Sequence, residues 1–327
     1  MRACIYGGGA VGSHLAVRLA QAGHEVSVIA RGPHLEAMRE RGLTLLQGDN
    51  SSTVEVSATD DVSGLGPQDV LIVAVKATGL DAVADELKPL VKPETAVIYP
   101  QNGIPWWYPV GLVSKSAPPD LPQFEVAEKF LQCMTPGQIV GGSIYSANVI
   151  AEPGVVRNNS PARNQLSLGG VAPGSSIEID ALRAIFEAAG ISAPAVKDIR
   201  EIVWRKLFIN MTGSVIALVT GNKSSISGQD PELEVIYRRL MAEGLRISAA
   251  HGFPMEELVD VDAILANLPN HKPSLLQDYE LGRPMEIAEI VRAPQAFARA
   301  ADVETPSLDV LCAIATRIAK DRGLYSD

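Results

Sequence analysis

Six residues near the N-terminus, Gly7-Gly8-Gly9-Ala10-Val11-Gly12, have the spacing G-x-G-x-x-G. In that pattern the first glycine permits a tight turn, the second lets a pyrophosphate approach the backbone, and the third lets a helix pack closely on a strand. The helix that follows turns free N–H groups and the positive end of its dipole toward the phosphates. The hexapeptide alone reads equally well as a structural turn. The strand-like run before it and the helical spacing after it favour a dinucleotide held by Gly7, Gly8, Gly9, Ala10, Val11 and Gly12. An NAD site would place an acid about 20 residues further on, for the ribose 2′-hydroxyl. This chain has Arg31 there, and a guanidinium fork suits a 2′-phosphate, so NADP(H) is the sharper reading and an ordinary exposed arginine the plainer one. Lys76, ending an apolar strand, and Asn102-Gly103, following another, stand at comparable strand ends, although Asn-Gly is also a simple turn.

A second set of residues suits proton transfer. Lys206, Asn210 and Ser214 follow one another at i, i+4 and i+8, which places them on one face of a helix. The residues around them, Leu207, Phe208, Ile209, Met211, Val215, Ile216 and Leu218, make that helix apolar over most of its circumference. Polar groups there must be satisfied internally or at a site; a snorkelling lysine with core-bonded amides is the structural alternative. A carbonyl accepting hydride needs a donor beside its oxygen as alkoxide charge develops, and a partly desolvated lysine can act as that general acid. Further on, Ser274-Leu275-Leu276-Gln277-Asp278 precedes Gly282-Arg283-Pro284-Met285-Glu286-Ile287. Glu286 opens a helical stretch, where an acid is also common simply as a complement to the helix dipole. None of the five histidines pairs with a carboxylate at metal-ligand spacing, which disfavours a metal-dependent mechanism.

These residues need a scaffold. Residues 3–6, 25–30, 69–75 and 95–99 read as strands, and 10–22 and 79–91 as helices between them. The run 70–75 is apolar without alternation, as in a strand buried on both faces of a parallel sheet. The predicted fold class is therefore α/β, an N-terminal Rossmann-type doubly wound parallel sheet. Short β-type runs at 139–140, 155–156 and 166–168 suggest antiparallel strands at the sheet edge, and 176–189 a helix. Beyond 196 strand signals vanish, and helical patterns follow at about 198–220, 231–250, 255–268, 273–300 and 306–322. The expected division is 1–197 for an NADP-binding domain and 198–327 for a helical substrate-binding and catalytic domain.

At 327 residues with 46% apolar content, the chain has enough material for two cores. The excess of 38 acids over 28 lysines and arginines speaks against general nucleic-acid binding. Three widely spaced cysteines suggest neither a disulfide framework nor a thiolate zinc site. No apolar run is read as approaching a membrane span, and no signal region precedes the glycine loop, so the expectation is a cytoplasmic enzyme without a membrane partner. The apolar helices of the second half are compatible with a homodimer.

Taken together, the chain resembles the ketopantoate reductase family (2-dehydropantoate 2-reductases) from end to end. The resemblance is carried by the glycine loop, Arg31, Lys76, Asn102-Gly103, Trp204-Arg205-Lys206-Leu207 with Asn210, Ser274 with Leu276-Gln277-Asp278, and Gly282-Arg283 with Glu286-Ile287. It implies NADPH-dependent reduction of a branched 2-oxo acid at a cleft between a Rossmann domain and a helical domain. It further implies Lys206 as acid and base, Glu286 at the polar end of the substrate, Asn102 between cofactor and substrate, and Asn210 and Ser274 as substrate ligands, with Ala147 near the cofactor. Ser214 stands where the family usually has a second asparagine, and Ala288, Glu289 and Val291-Arg292 replace its usual Asp and Asn-Gly. The cluster Trp106-Trp107-Tyr108 is open to two readings, ordinary packing or a pocket reshaped for a bulkier acid. The implied reaction is reduction of 2-dehydropantoate. The alternatives are a 2-hydroxy acid dehydrogenase acting on another branched or aromatic 2-oxo acid, and a non-catalytic NADPH-binding sensor.

Overall fold

The computed structural model describes residues 1–113 and 116–326. Its eleven strands, in chain order, are β1 (Arg2–Tyr6), β2 (Glu25–Ile29), β3 (Leu43–Gln47), β4 (Asn50–Val54), β5 (Ser57–Thr59), β6 (Val70–Val73), β7 (Ala96–Pro100), β8 (Ile139–Tyr145), β9 (Asn148–Glu152), β10 (Val155–Asn158) and β11 (Gln165–Gly170). Seven form one sheet in the order β11-β8-β7-β6-β1-β2-β5. All its pairings are parallel except β11 on β8, which is antiparallel. The chain goes from β1 to β2 on one side and later returns to β6 on the other. The strand order therefore reverses at β1, which is where doubly wound sheets bind ligands beyond their carboxyl ends. Strands β6 and β7 are buried at every position, in keeping with their unbroken apolar runs.

Helix α1 (Ala10–Gln21) packs on β1 and β2 and also against the second sheet, of order β4-β3-β10-β9. Being covered from two sides, it buries Ser13 and His14 as completely as Leu15. Helices α2 (Gly32–Arg41), α3 (Leu80–Ala84), α4 (Ala127–Leu131) and α5 (Ile179–Ala188) complete this compact unit, which comprises 1–101, 110–112 and 126–199.

The other unit comprises 102–109, 113–125 and 200–327, of which all but 114, 115 and 327 are described. Among the described residues it is helical: α6 (Ile199–Ile209) enters it, followed by α7 (Val215–Thr220), α8 (Pro231–Ala250), α9 (Val261–Ala266), α10 (Ser274–Glu280), α11 (Ala293–Ala300) and α12 (Pro306–Asp321). Two π-helical turns, 210–214 and 288–292, join α6 to α7 and lead into α11. Helix α8 starts where Asp230 accepts the amides of Glu232 and Leu233, with Pro231 at the first helical position.

Several expectations need correction. A single cut after 197 does not divide the compact units, because 102–109 and 113–125 pack with the helical part. The reason is aromatic: Trp106, Trp107 and Tyr108 are at most 1% exposed, and Tyr108 stacks edge-on against Trp204 and Phe297. This cluster is core, in keeping with the packing reading. The stretch 79–91 is no single helix but α3 between 3-10 turns, the second built on Pro89. The span 273–300 is likewise interrupted, at Gly282-Arg283-Pro284, and 255–268 narrows to α9. Strand β8 continues the parallel sheet, while β10 belongs to the small one. Residues 199–220 are long and apolar enough to span a membrane by length and composition, contrary to the sequence reading, yet two-thirds (67%) of the apolar window is buried, as in a core helix.

Candidate active site

In the first unit the glycine loop follows β1 directly. Gly7 has φ +107°, a conformation that only glycine adopts without strain, and the amides of Gly7 and Gly8 both donate to the Ile29 carbonyl. A Cβ at Gly12 would lie 2.1 Å from the Gly7 carbonyl oxygen, so the close packing of loop and helix requires glycine there. At Gly9 the opposite holds: among the described residues, nothing beyond its immediate chain neighbours comes within 4 Å of an added Cβ. No side chain caps α1 and no acid stands in its first turn, so its leading amides and dipole charge remain available to an anion. An open approach at Gly9, beside the first turn containing Ala10, Val11 and Gly12, fits a pyrophosphate.

Three other residues expected to contact the cofactor, Arg31, Lys76 and Ala147, belong to the same unit. Arg31 follows β2 and precedes α2, with 74% of its side chain exposed. Its guanidinium lies 4.0 Å from the carboxylate of Glu86, which in turn accepts a hydrogen bond from the Tyr6 hydroxyl at the end of β1. Burial first, and then Glu86, push the Tyr6 phenol above its usual range, so it remains a donor. Lys76 follows β6 and is half-buried. Ala147 is held by backbone contacts on both sides, its amide donating to Ser160 Oγ and its carbonyl accepting from Asn159.

The second unit gathers the residues expected to meet the substrate. Asn102 Nδ2 donates to Glu286 Oε2 at 3.1 Å. Next to it the Ile104 amide donates to the Glu289 carbonyl at 3.0 Å. Gly103, at φ +68°, packs so closely that an added Cβ would fall 2.5 Å from the Glu289 backbone. The loop after β7 is thus fastened by its backbone to the π turn that follows Glu286. That π turn packs against the other, 210–214, which also touches α10.

Asn210 therefore starts a π turn that packs beside 288–292 and α10, and Ser274 is the first residue of α10, exposed to solvent. The α-helical spacing holds from Lys206 to Asn210. The π turn then shifts Ser214 around the axis, and it is buried where Lys206 and Asn210 are half-buried. Single π turns inside α-helices recur at functional sites.

Glu289, which the sequence named only as a departure from the family pattern, lies in the π turn that follows Glu286. It is 5% exposed, its Oε2 has no hydrogen-bond partner among the described residues, and its carboxyl is raised from 4.5 to about 7, first by burial and then by the charge of Glu286. Its place three residues after Glu286 on a helical stretch was the available signal. Glu86 gave none, lying in no motif. Among the described residues no group of three His, Cys, Asp or Glu side chains is placed to hold a metal ion.

Residues 3–108 match the family model described as "Ketopantoate reductase PanE/ApbA" and residues 198–319 the model of its C-terminal part. The 2-dehydropantoate 2-reductase of Mesorhizobium japonicum is 34% identical over 100% of both chains. A crystal structure of a candidate ketopantoate reductase from Ralstonia solanacearum MolK2 superposes with a TM-score of 0.87 at 33% identity, covering 99% of each chain. D-mandelate dehydrogenase, solved with NADH and anilino(oxo)acetate, shares the fold at a TM-score of 0.82 but only 20% identity, over 99% of this chain and 100% of that one. The chain belongs to the ketopantoate reductase family, whose members are NADP-dependent oxidoreductases acting on a CH–OH group.

Proposed function

We propose that this protein reduces a 2-oxo acid to its 2-hydroxy acid with NADPH, and that the acid is 2-dehydropantoate (ketopantoate), giving pantoate. The observation that carries the reading is the hydrogen bond from Asn102 to Glu286. These residues are 184 positions apart, and the family resemblance assigns both to one substrate site. The full-length likeness to a 2-dehydropantoate 2-reductase supports the choice of substrate.

In this reading the first unit binds NADPH through the glycine loop, Arg31 and Lys76, with Ala147 beside it. The bound nicotinamide supplies the hydride. Lys206 donates a proton to the carbonyl oxygen as it gains negative charge, a role typically worth 10²–10⁴ in rate. Asn210, Ser214 and Ser274 offer neutral donors to the substrate. Glu286 accepts from the substrate's polar end and, by holding the Asn102 amide, fixes the direction in which Asn102 presents its remaining oxygen. The burial of Trp106-Trp107-Tyr108 supports the packing reading of that cluster and leaves the Ser214 and Val291-Arg292 departures as the motive for another branched or aromatic acid.

The test is NADPH oxidation against ketopantoate, 2-oxoisovalerate and phenylglyoxylate, with Lys206→Ala alongside. Ketopantoate should be turned over best. The variant should bind NADPH normally and lose at least about a hundredfold in kcat. Near-full activity of Lys206→Ala would remove the lysine from the mechanism, and a preference for phenylglyoxylate would move the substrate to the aromatic class. Retained NADPH binding with no turnover of any acid would favour a sensor.

A further inference from the structure

Arg31 already has an anion beside it. Glu86 Oε1 lies 4.0 Å from its guanidinium, while Glu86 Oε2 accepts the hydroxyl of Tyr6. Tyr6 is 3% exposed and is the last residue of β1, immediately before the glycine loop. A surface glutamate usually swings freely, but this one is tethered by a buried phenol and so keeps its charge near the arginine. All three residues stand at the carboxyl ends of the neighbouring strands β2, β1 and β6 or in the segments that leave them. This is the edge where the adenosine half of a dinucleotide binds.

The consequence for the two nicotinamide cofactors differs in sign. A 2′-phosphate must share Arg31 with Glu86 and carries up to two negative charges of its own, so it meets repulsion where it would otherwise meet only attraction. A ribose 2′-hydroxyl is neutral and can donate to a carboxylate, which is what the acid of an ordinary NAD site accepts. We propose that Glu86, held by Tyr6, is a cofactor-specificity residue that competes with the ribose 2′-phosphate for Arg31 and so narrows the preference for NADPH over NADH. This rests on the assignment of Arg31 to the 2′-phosphate under the proposed function.

The experiment measures dissociation constants of NADPH and NADH by calorimetry on the full chain. The proteins compared are wild type, Glu86→Gln, Tyr6→Phe and Arg31→Ala, at low and high salt. Exposed charge pairs are worth a factor of up to about five. Glu86→Gln should therefore tighten NADPH by about that factor and leave NADH unchanged or weaker, with the gain shrinking as salt rises. Tyr6→Phe, which releases the carboxylate without removing it, should shift the NADPH to NADH ratio in the same direction by less. A purely structural role would move both cofactors together. If Arg31→Ala weakens NADPH while Glu86→Gln and Tyr6→Phe leave the ratio of the two constants unchanged, the inference about Glu86 is overturned and Arg31 keeps its role. If Arg31→Ala affects both cofactors equally or neither, it is the assignment of Arg31 that fails.

Discussion

Glu289 makes the stability of the helical unit depend on pH in a direction opposite to that of most carboxylates. Its carboxyl titrates at about 7 in the folded chain against an ordinary 4.5, chiefly because it is buried and secondarily because Glu286 is beside it. Between those values the folded state holds a proton that the unfolded state has released. Stability contributed by this group is therefore greatest below pH 4.5, falls as pH rises, and levels off above about 7. At about 1.4 kcal/mol per pH unit of displacement, the whole effect comes to roughly 3 kcal/mol, undiminished by solvent because the side chain is buried. Glu289→Gln keeps the shape and removes the titration. The variant should match wild type near pH 4.5 and exceed it by up to about 3 kcal/mol at pH 8. The assay is convenient because all three tryptophans, Trp106, Trp107 and Trp204, belong to the helical unit, so fluorescence-monitored urea unfolding reports on that unit alone. Titrating groups that do not interact with Glu289 cancel in the difference between the two proteins. Parallel curves for wild type and variant from pH 5 to 8 would refute the reasoning, as would a variant equally destabilised throughout.

Two further substitutions test how the site is fastened. Gly103→Ala combines a left-handed backbone with a Cβ 2.5 Å from Glu289, so it should cost about 2–5 kcal/mol and raise KM by displacing Asn102. Wild-type urea midpoints and KM would mean that this loop is not docked on 288–292. Tyr108→Phe should cost about 1–3 kcal/mol, because Trp204 Nε1 donates to the Tyr108 hydroxyl at 2.9 Å and would be left buried without an acceptor. An unchanged midpoint would show that the indole finds another partner.

The sequence made some features legible and not others, for reasons that can be traced to particular residues. The glycine loop could be read because each glycine answers a local backbone need, as Gly7 and Gly12 do. The strand at 70–73 could be read because burial on both faces leaves an unbroken apolar run. Strands β3 and β4 escaped notice because one face of that hairpin is solvated: Thr44 pairs with Thr53 and Leu46 with Ser51, a pattern that local reading does not separate from a loop. The membership of 102–109 was invisible, since it depends on Trp204 and Phe297 far away in the chain. Glu86 and Tyr6 were missed for the same reason, their contact spanning 80 residues. Asn102 and Glu286 were each legible locally, as a strand-end residue and an acid before a helical stretch, but only the family resemblance brought them to one site.

The two π turns have one more consequence. A helix containing such a turn carries one residue more than its axial length requires, and its hydrogen-bond ladder is locally widened. The two turns of this protein lie against each other, at Asn210–Ser214 and just after Glu286. Slack in one turn is thus stored beside slack in the other: 210–214 lies between α6 and the short α7, and 288–292 opens the stretch that continues as α11. Under the proposed function, residues assigned to the substrate, Asn210, Ser214 and Glu286, lie in or beside these widened turns, so the backbone that would meet a small, branched acid is also where the helical hydrogen-bond ladder is loosest.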